Sequence, residues 1–313
     1  MSELSLTEVK LDEIKTHTDM QFDIYVIIEE KPRKIIASNS QFYTEEIEHF
    51  QKKDINKFYI DEIDFQRMVA KIPKQEPIQA KSTNSLETSE YLYKLVQSKL
   101  QLIGIAPDEI EQCTQKFNKF LNTLQKSPRP VMDKLYPFLN RKDYIVSHSM
   151  LVAHIANLMA KEMSWFNESI TQKIYYAALF KDIFIEDPQL AKIRSSKQAE
   201  FTSLTSIQKK IVLGHQEKTV KLLLDMPEFT SDVESLIMNH HELPNGEGFN
   251  NGKTTEHLSQ LCCTFNIACY FVQDILERHE SIGPLGIYRE MEITFKQKNY
   301  KMPYEALRKV LRG

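Results

Sequence analysis

The chain has 313 residues, 42% hydrophobic and 27% charged, an ordinary composition for a globular protein with length enough for two domains. Only 8 glycines argue against Gly-rich barrels and phosphate-cradling loop folds and favour helices. A net charge of −3 gives no electrostatic case for nucleic acid or for an anionic membrane surface.

No apolar run approaches the ~18 residues that a membrane span needs. The opening MSELSLTEVK has no signal-peptide pattern, so the expected compartment is the reducing cytoplasm. The four cysteines, Cys113, Cys262, Cys263 and Cys269, show no CxxC spacing, which weakens zinc-ribbon and disulfide-framework readings.

Residues 1–72 read as a small α+β unit. Phe22, Ile24, Val26 and Ile28 alternate with the positions between them, which is strand periodicity. Pro32 predicts a turn, Lys34–Ser38 a return strand, Thr44–Lys53 a helix, Lys57–Ile60 a short strand and Asp61–Lys71 a second helix. Residues 73–89, with two prolines and few large apolar side chains, read as a linker. From residue 90 to 313 the pattern is helical almost throughout. Candidate helices are 90–103, 108–125, 130–139, 147–163, 170–183, 206–224, 230–241, 256–279 and 303–312.

Histidines collect on the inward faces of these helices. His148 lies four residues before Val152 and seven before Ile155, at the edge of a buried face. His215 lies four residues after Ile211 and seven before Leu222. Ile237 precedes His240 by three residues and His241 by four, so both imidazoles can flank the inward face. Asp182 ends an apolar helix that would pack nearby. A lone inward histidine is usually a core residue that finds a partner. Inward histidines and an aspartate gathered from separate helices are how bundles build metal centres, and imidazole with carboxylate suits iron, manganese or zinc.

The stretch HHELPNGEGFNNG at 240–252 resembles the HD-GYP signature, in which HHE is followed by a DGxGYP element. HSMLVAHIANLM resembles the family's HSxxVA helix, AALFKDIF its AALLHDIGK element, and GHQEKTVKLL its helix with a single ligating histidine. The resemblance implies a mainly α protein, an HD-type all-helical metal-phosphohydrolase bundle preceded by a small α+β domain of sensory character. It further implies a phosphodiesterase that hydrolyses cyclic di-GMP with two or three metal ions, often iron. Asp182 would be the bridging carboxylate, His215, His240 and His241 would hold one ion, and His148 would help hold its neighbour.

The departures fall on one side. Lys181 replaces the histidine of the HD pair, and Phe184-Ile185 replace the Gly-Lys after it. Tyr144 stands where many members carry an acidic ligand, and Cys269 where the last aspartate falls. Gly248-Phe249-Asn250 replace GYP, so the tyrosine hydroxyl is missing. A protonated lysine cannot ligate, and its ammonium is expected to stand in for the missing ion's charge near Asp182. Cys269 is either a thiolate ligand or, in the inward stripe Cys262, Phe265, Cys269, Val272 and Leu276, a small buried hydrophobe. Asp274 is an alternative carboxylate.

The expectation is therefore a degenerate signalling protein that binds a cyclic dinucleotide or a protein partner such as a cyclic-dinucleotide synthase domain. The expected cofactor is one divalent ion rather than two or three, iron first and manganese or zinc as alternatives, with no ion as the remaining case. Lys181 and Asp182 would carry any catalysis. Asn245, Gly246, Gly248, Phe249 and Asn250 are the candidate substrate or partner loop. An active phosphodiesterase, on cyclic di-GMP or on another phosphate ester, is the alternative.

Overall fold

The computed structural model describes residues 5–9, 22–28, 31–40, 57–64, 107–127, 131–139, 143–224, 226–249 and 255–312, with a few positions near 49–55 and 93–97. The chain divides into two compact units, Met1–Lys116 and Phe117–Gly313. The expected linker at 73–89 lies outside the described residues, as do most of the helices expected at 44–53, 61–71 and 90–103.

The first unit carries a four-stranded antiparallel sheet. Its strands are β1 (Leu6–Val9), β2 (Ile24–Ile28), β3 (Lys31–Ile36) and β4 (Phe58–Asp61), in the order β1-β4-β2-β3. Register sets Leu6 opposite Asp61, Val26 opposite Arg33 and Tyr25 opposite Tyr59. Ile24, Val26, Phe58 and Ile60 are fully buried, so period-2 alternation puts one face of β2 and β4 on the core. Two expectations need correction. Ile28 does not continue the buried row and is 42% exposed at the end of β2, after a register irregularity between Ile24 and Tyr25. Pro32 does not mark a turn but lies within β3, which starts three residues earlier than expected. β3 is an edge strand, where a residue without an N–H costs no ladder bond on its open side.

The helical elements are α1 (Pro107–Lys126), α2 (Val131–Leu139), α3 (Tyr144–Lys161), α4 (Glu168–Phe180), α5 (Pro188–Ala191), α6 (Ala199–Ser203), α7 (Ser206–Leu223), α8 (Ser231–Asn239), α9 (Gln260–Glu290), α10 (Glu292–Phe295) and α11 (Lys301–Arg312). Their starts are encoded locally. Asp143 caps α3 by accepting from the Val146 N–H, and Asn167, Thr230 and Ser259 cap α4, α8 and α9 in the same way. Thr205 and Gln208 form a reciprocal capping box at α7. Pro188, expected only as a breaker, occupies the first turn of α5 behind an Asp187 cap, where its missing N–H costs nothing.

α3 is the axis of the second unit, packing on α4, α9 and α11 and burying fifteen of its residues. α9 runs to Glu290, well beyond the expected end at 279, with a kink at Gly283, whose φ of 63° lies in the left-handed region. α4 stops at Phe180, two residues before Asp182. Lys181 is its C-cap, and the chain turns tightly there, with the Ile183 and Ile185 N–H groups donating to Phe180 and Asp182 carbonyls. His240 is likewise the C-cap of α8. The expected site residues therefore sit at helix ends (Lys181, Asp182, His240, His241), in the first turns of α3 (His148), and inside α7 (His215) and α9 (Cys269).

Candidate metal centre

Asp182, His215, His240 and His241 each aim one donor atom at a common point, and these four atoms lie within 4.8 Å of one another. The backbone decides the chemistry of two rings. His215 Nδ1–H donates to the Val212 carbonyl and His240 Nδ1–H to the Ile237 carbonyl, each at 2.7 Å. A carbonyl can only accept, so both protons sit on Nδ1 and both Nε2 atoms present lone pairs. Those two Nε2 atoms are 3.4 Å apart, and they lie 3.8 and 3.3 Å from Asp182 Oδ1. His241 Nε2 and Asp182 Oδ1 are buried with no hydrogen-bond partner.

The Nε2 lone pairs of His215 and His240 and the Asp182 carboxylate are acceptors facing one another, and they repel unless a cation lies among them. Burial, with neighbouring charges, holds the His215 and His241 rings well below their usual pKa and lowers His240 to about 3, so none supplies that cation by protonation at neutral pH. The donor set, three neutral imidazoles and a carboxylate, fits one divalent ion.

The other side of Asp182 is filled. Lys181 Nζ donates to Asp182 Oδ2 and lies 3.0 Å from His148 Nδ1. His148 Nε2–H donates to the Cys269 carbonyl at 3.2 Å, so Nδ1 is the acceptor for the ammonium. Lys181 is only 1% exposed and Asp182 only 2%. Burial lowers the lysine to about 8, which leaves it charged at neutral pH, and contact with the carboxylate favours that form. The expected orientation of Lys181 toward Asp182 is what the structure has. His148 is brought beside Asp182, Nδ1 to Oδ2 at 3.8 Å, but both of its ring nitrogens are engaged.

Cys269 meets His148 through its backbone carbonyl, and its thiol is not among the four clustered donors. Burial pushes that thiol up to about 11, despite Lys181 and Arg194 nearby. Cys262, Phe265 and Val272 of the same stripe are buried too. Asp274 is held by Arg194 at 2.6 Å and by Arg278 at 3.1 Å. Tyr144 stacks on His148 with ring centroids 5.5 Å apart.

The loop after the histidines is a structural brace. A Cβ on Gly248 would overlap the His241 carbonyl oxygen and approach Glu242 Cα to 2.6 Å, so only glycine lets the loop fold back on the histidine pair. Phe249, 2% exposed, packs its ring edge-on to His241 at 5.1 Å. Gly246 takes a φ of 72°, and Asn245 Oδ1 accepts from the Glu247 N–H at 3.1 Å. Asn250 lies outside the described residues.

Two residues absent from the sequence-derived set shape the approach. Arg194 and Tyr270 line a small pocket of about 20 Å³ together with Lys181, His148, His240 and His241. Arg194 sits on a loop between two short helices, with no periodicity to give it away. Among the described residues no helix is long and apolar enough to cross a membrane.

Residues 133–278 match the HD domain family. No curated protein matches the chain. Among solved structures, Bd1817, a HDG"Y"P protein from Bdellovibrio bacteriovorus, is similar over 99% of this chain and 100% of its own, with a TM-score of 0.53 and 15% identity. That likeness is one of fold, and it covers the N-terminal sheet as well as the bundle. HD domains imply a divalent metal, which the four-donor cluster could hold. The family match covers the bundle from α2 into α9, and the solved structure adds a shared fold.

Proposed function

We propose that this protein is a divergent HD-GYP-type signalling protein that holds one divalent ion, iron first among the candidates, and acts by binding a cyclic dinucleotide or a protein partner rather than by turnover. The observation that carries this reading is the position of Lys181. Its ammonium, bonded to Asp182 Oδ2 and beside His148 Nδ1, occupies the ground a second ion would need. Two-metal hydrolysis clamps the attacking and leaving oxygens between two ions. One ion and one ammonium keep positive charge for holding a phosphate but lack that symmetric clamp.

Hydrolysis of cyclic di-GMP or of another phosphate ester is the second reading. It is favoured by the pocket above His240 and His241, which brings Lys181 and Arg194 to the same place. Elemental analysis of the purified chain, with cyclic di-GMP binding and turnover measured on the same sample, separates the two. The expected result is one ion per chain, binding and no turnover. Two or more ions with turnover would establish the second reading, and no ion at all would remove the metal site.

A further inference from the structure

The last helix, α11, has two unlike faces. The inward one buries Pro303, Tyr304, Ala306, Leu307 and Val310. The outward one carries Lys301, Met302, Arg308, Lys309 and Arg312, all exposed, with Glu305 between them. Lys301, Glu305, Arg308 and Arg312 recur at i, i+4, i+7 and i+11, which is one stripe of a helix. We propose that this face docks an acidic amphipathic helix of a partner protein. It shares no residue with the metal centre, so it stands or falls separately from the reading above.

An apolar anchor lies at the start of the stripe. Trp165, half-buried in the loop between α3 and α4, donates its Nε1–H to Gln260 Oε1 at 2.8 Å. The same amide turns its Nε2 to Met302 Sδ at 3.6 Å, and Met302 is 52% exposed. One glutamine thus holds an indole and a thioether beside the row of cations. Aromatic, methionine and arginine side chains are the ones that protein interfaces concentrate, and tryptophan and arginine dominate their binding energy.

Charge selects the occupant. Arg308 pairs with Glu305 at 2.7 Å and Lys309 with Glu162 of α3 at 3.3 Å, whereas Lys301 and Arg312 have no ion-pair partner among the described residues. Four cations against two carboxylates leave a balance of +2, in a chain whose net charge is −3. Carboxylates within the row repel a continuous run of phosphates, as on nucleic acid or an anionic membrane, and the net charge of the chain adds to that repulsion. A helix with spaced glutamates can instead set one against each open cation and lay an apolar side chain over Trp165 and Met302.

Trp165 is the only tryptophan in the chain, so its fluorescence reports on this face alone. The test titrates the full chain with a synthetic amphipathic helix, leucine on one face and glutamate beside it, with its glutamine analogue, and with phosphatidylglycerol vesicles. The glutamate peptide should shift Trp165 emission to shorter wavelength, with an affinity that falls as salt rises. Lys301→Glu with Arg312→Glu should weaken that binding roughly tenfold, because two exposed attractions become repulsions. Met302→Ala should weaken it with the salt dependence unchanged. Equal binding of the glutamine analogue, affinity that survives the charge reversals, or no shift with either peptide would overturn the proposal. A shift with vesicles alone would overturn it in favour of a membrane.

Discussion

The two sides of Asp182 are built from similar residue types and do opposite things. Toward His215 and His240, backbone carbonyls fix the ring protons on Nδ1 and leave Nε2 lone pairs, and His241 Nε2 joins them without a hydrogen-bond partner. Toward His148, every acceptor is already taken, by the Lys181 ammonium or by a bond to Cys269. The first half needs a cation from solution, whereas the second carries its own, covalently attached. On the proposed reading, the Lys181 ammonium compensates the buried carboxylate where a second ion would otherwise be needed.

The largest expected effect comes from breaking the self-supplied half. Asp182→Asn leaves a buried ammonium without its counter-charge and should cost about 3–5 kcal/mol of stability, seen as a lower denaturation midpoint. Lys181→Met should destabilise the metal-free protein by a similar amount, but added divalent ion should restore much of the loss, because an ion can then neutralise Asp182. Metal-independent stability in that variant would show that the ammonium does not play the role of an ion.

The donor half gives the next effect. His215→Ala should reduce metal occupancy about 100-fold in affinity, read by competition with a chromogenic chelator, since outer and inner partners each matter at this scale. Lys181 should keep Asp182 compensated, so the variant should still fold.

Acid tests a histidine that lies outside both halves. His154 is fully buried, and neither ring nitrogen has a hydrogen-bond partner. Burial, with Lys134 and Lys161 adding, lowers its pKa to about 3. The folded state keeps the ring neutral, while the unfolded chain takes up a proton below about 6.5. Stability from this group is therefore present above pH 6.5 and lost as pH falls toward 3, by about 2 kcal/mol between pH 7 and pH 5. Denaturation midpoints of His154→Leu should fall less over that interval than those of the wild type.

The smallest effect belongs to Tyr144. Its buried hydroxyl has no hydrogen-bond partner, while its ring stacks on His148. Tyr144→Phe keeps the stack and should leave stability within about 1 kcal/mol or raise it slightly, because a buried polar atom without a partner costs rather than contributes. A large loss would mean that the hydroxyl has a role the stack does not explain.

Helical spacing was enough to identify the helices and the inward histidines, because buried faces repeat with the period of the helix that carries them, whereas the asymmetry of the departures was legible only through the resemblance to the HD-GYP pattern. Capping residues were written locally as well, in Asp143, Thr205 and Ser259. Other features depended on neighbours distant in sequence. Pro32 became part of a strand because β3 is an edge, and Asp182 fell beyond the end of α4 because the chain turns there. Lys181 could be recognised in the sequence as a misfit at a metal site. Only the tertiary structure decided that its ammonium would meet both Asp182 and His148, that a Cys269 carbonyl would hold the far side of that ring, and that Arg194 would reach the pocket from a loop. Carbonyls and loop arginines carry no periodic signal, so their partners are set by which surfaces the packing of α3, α4 and α9 brings together.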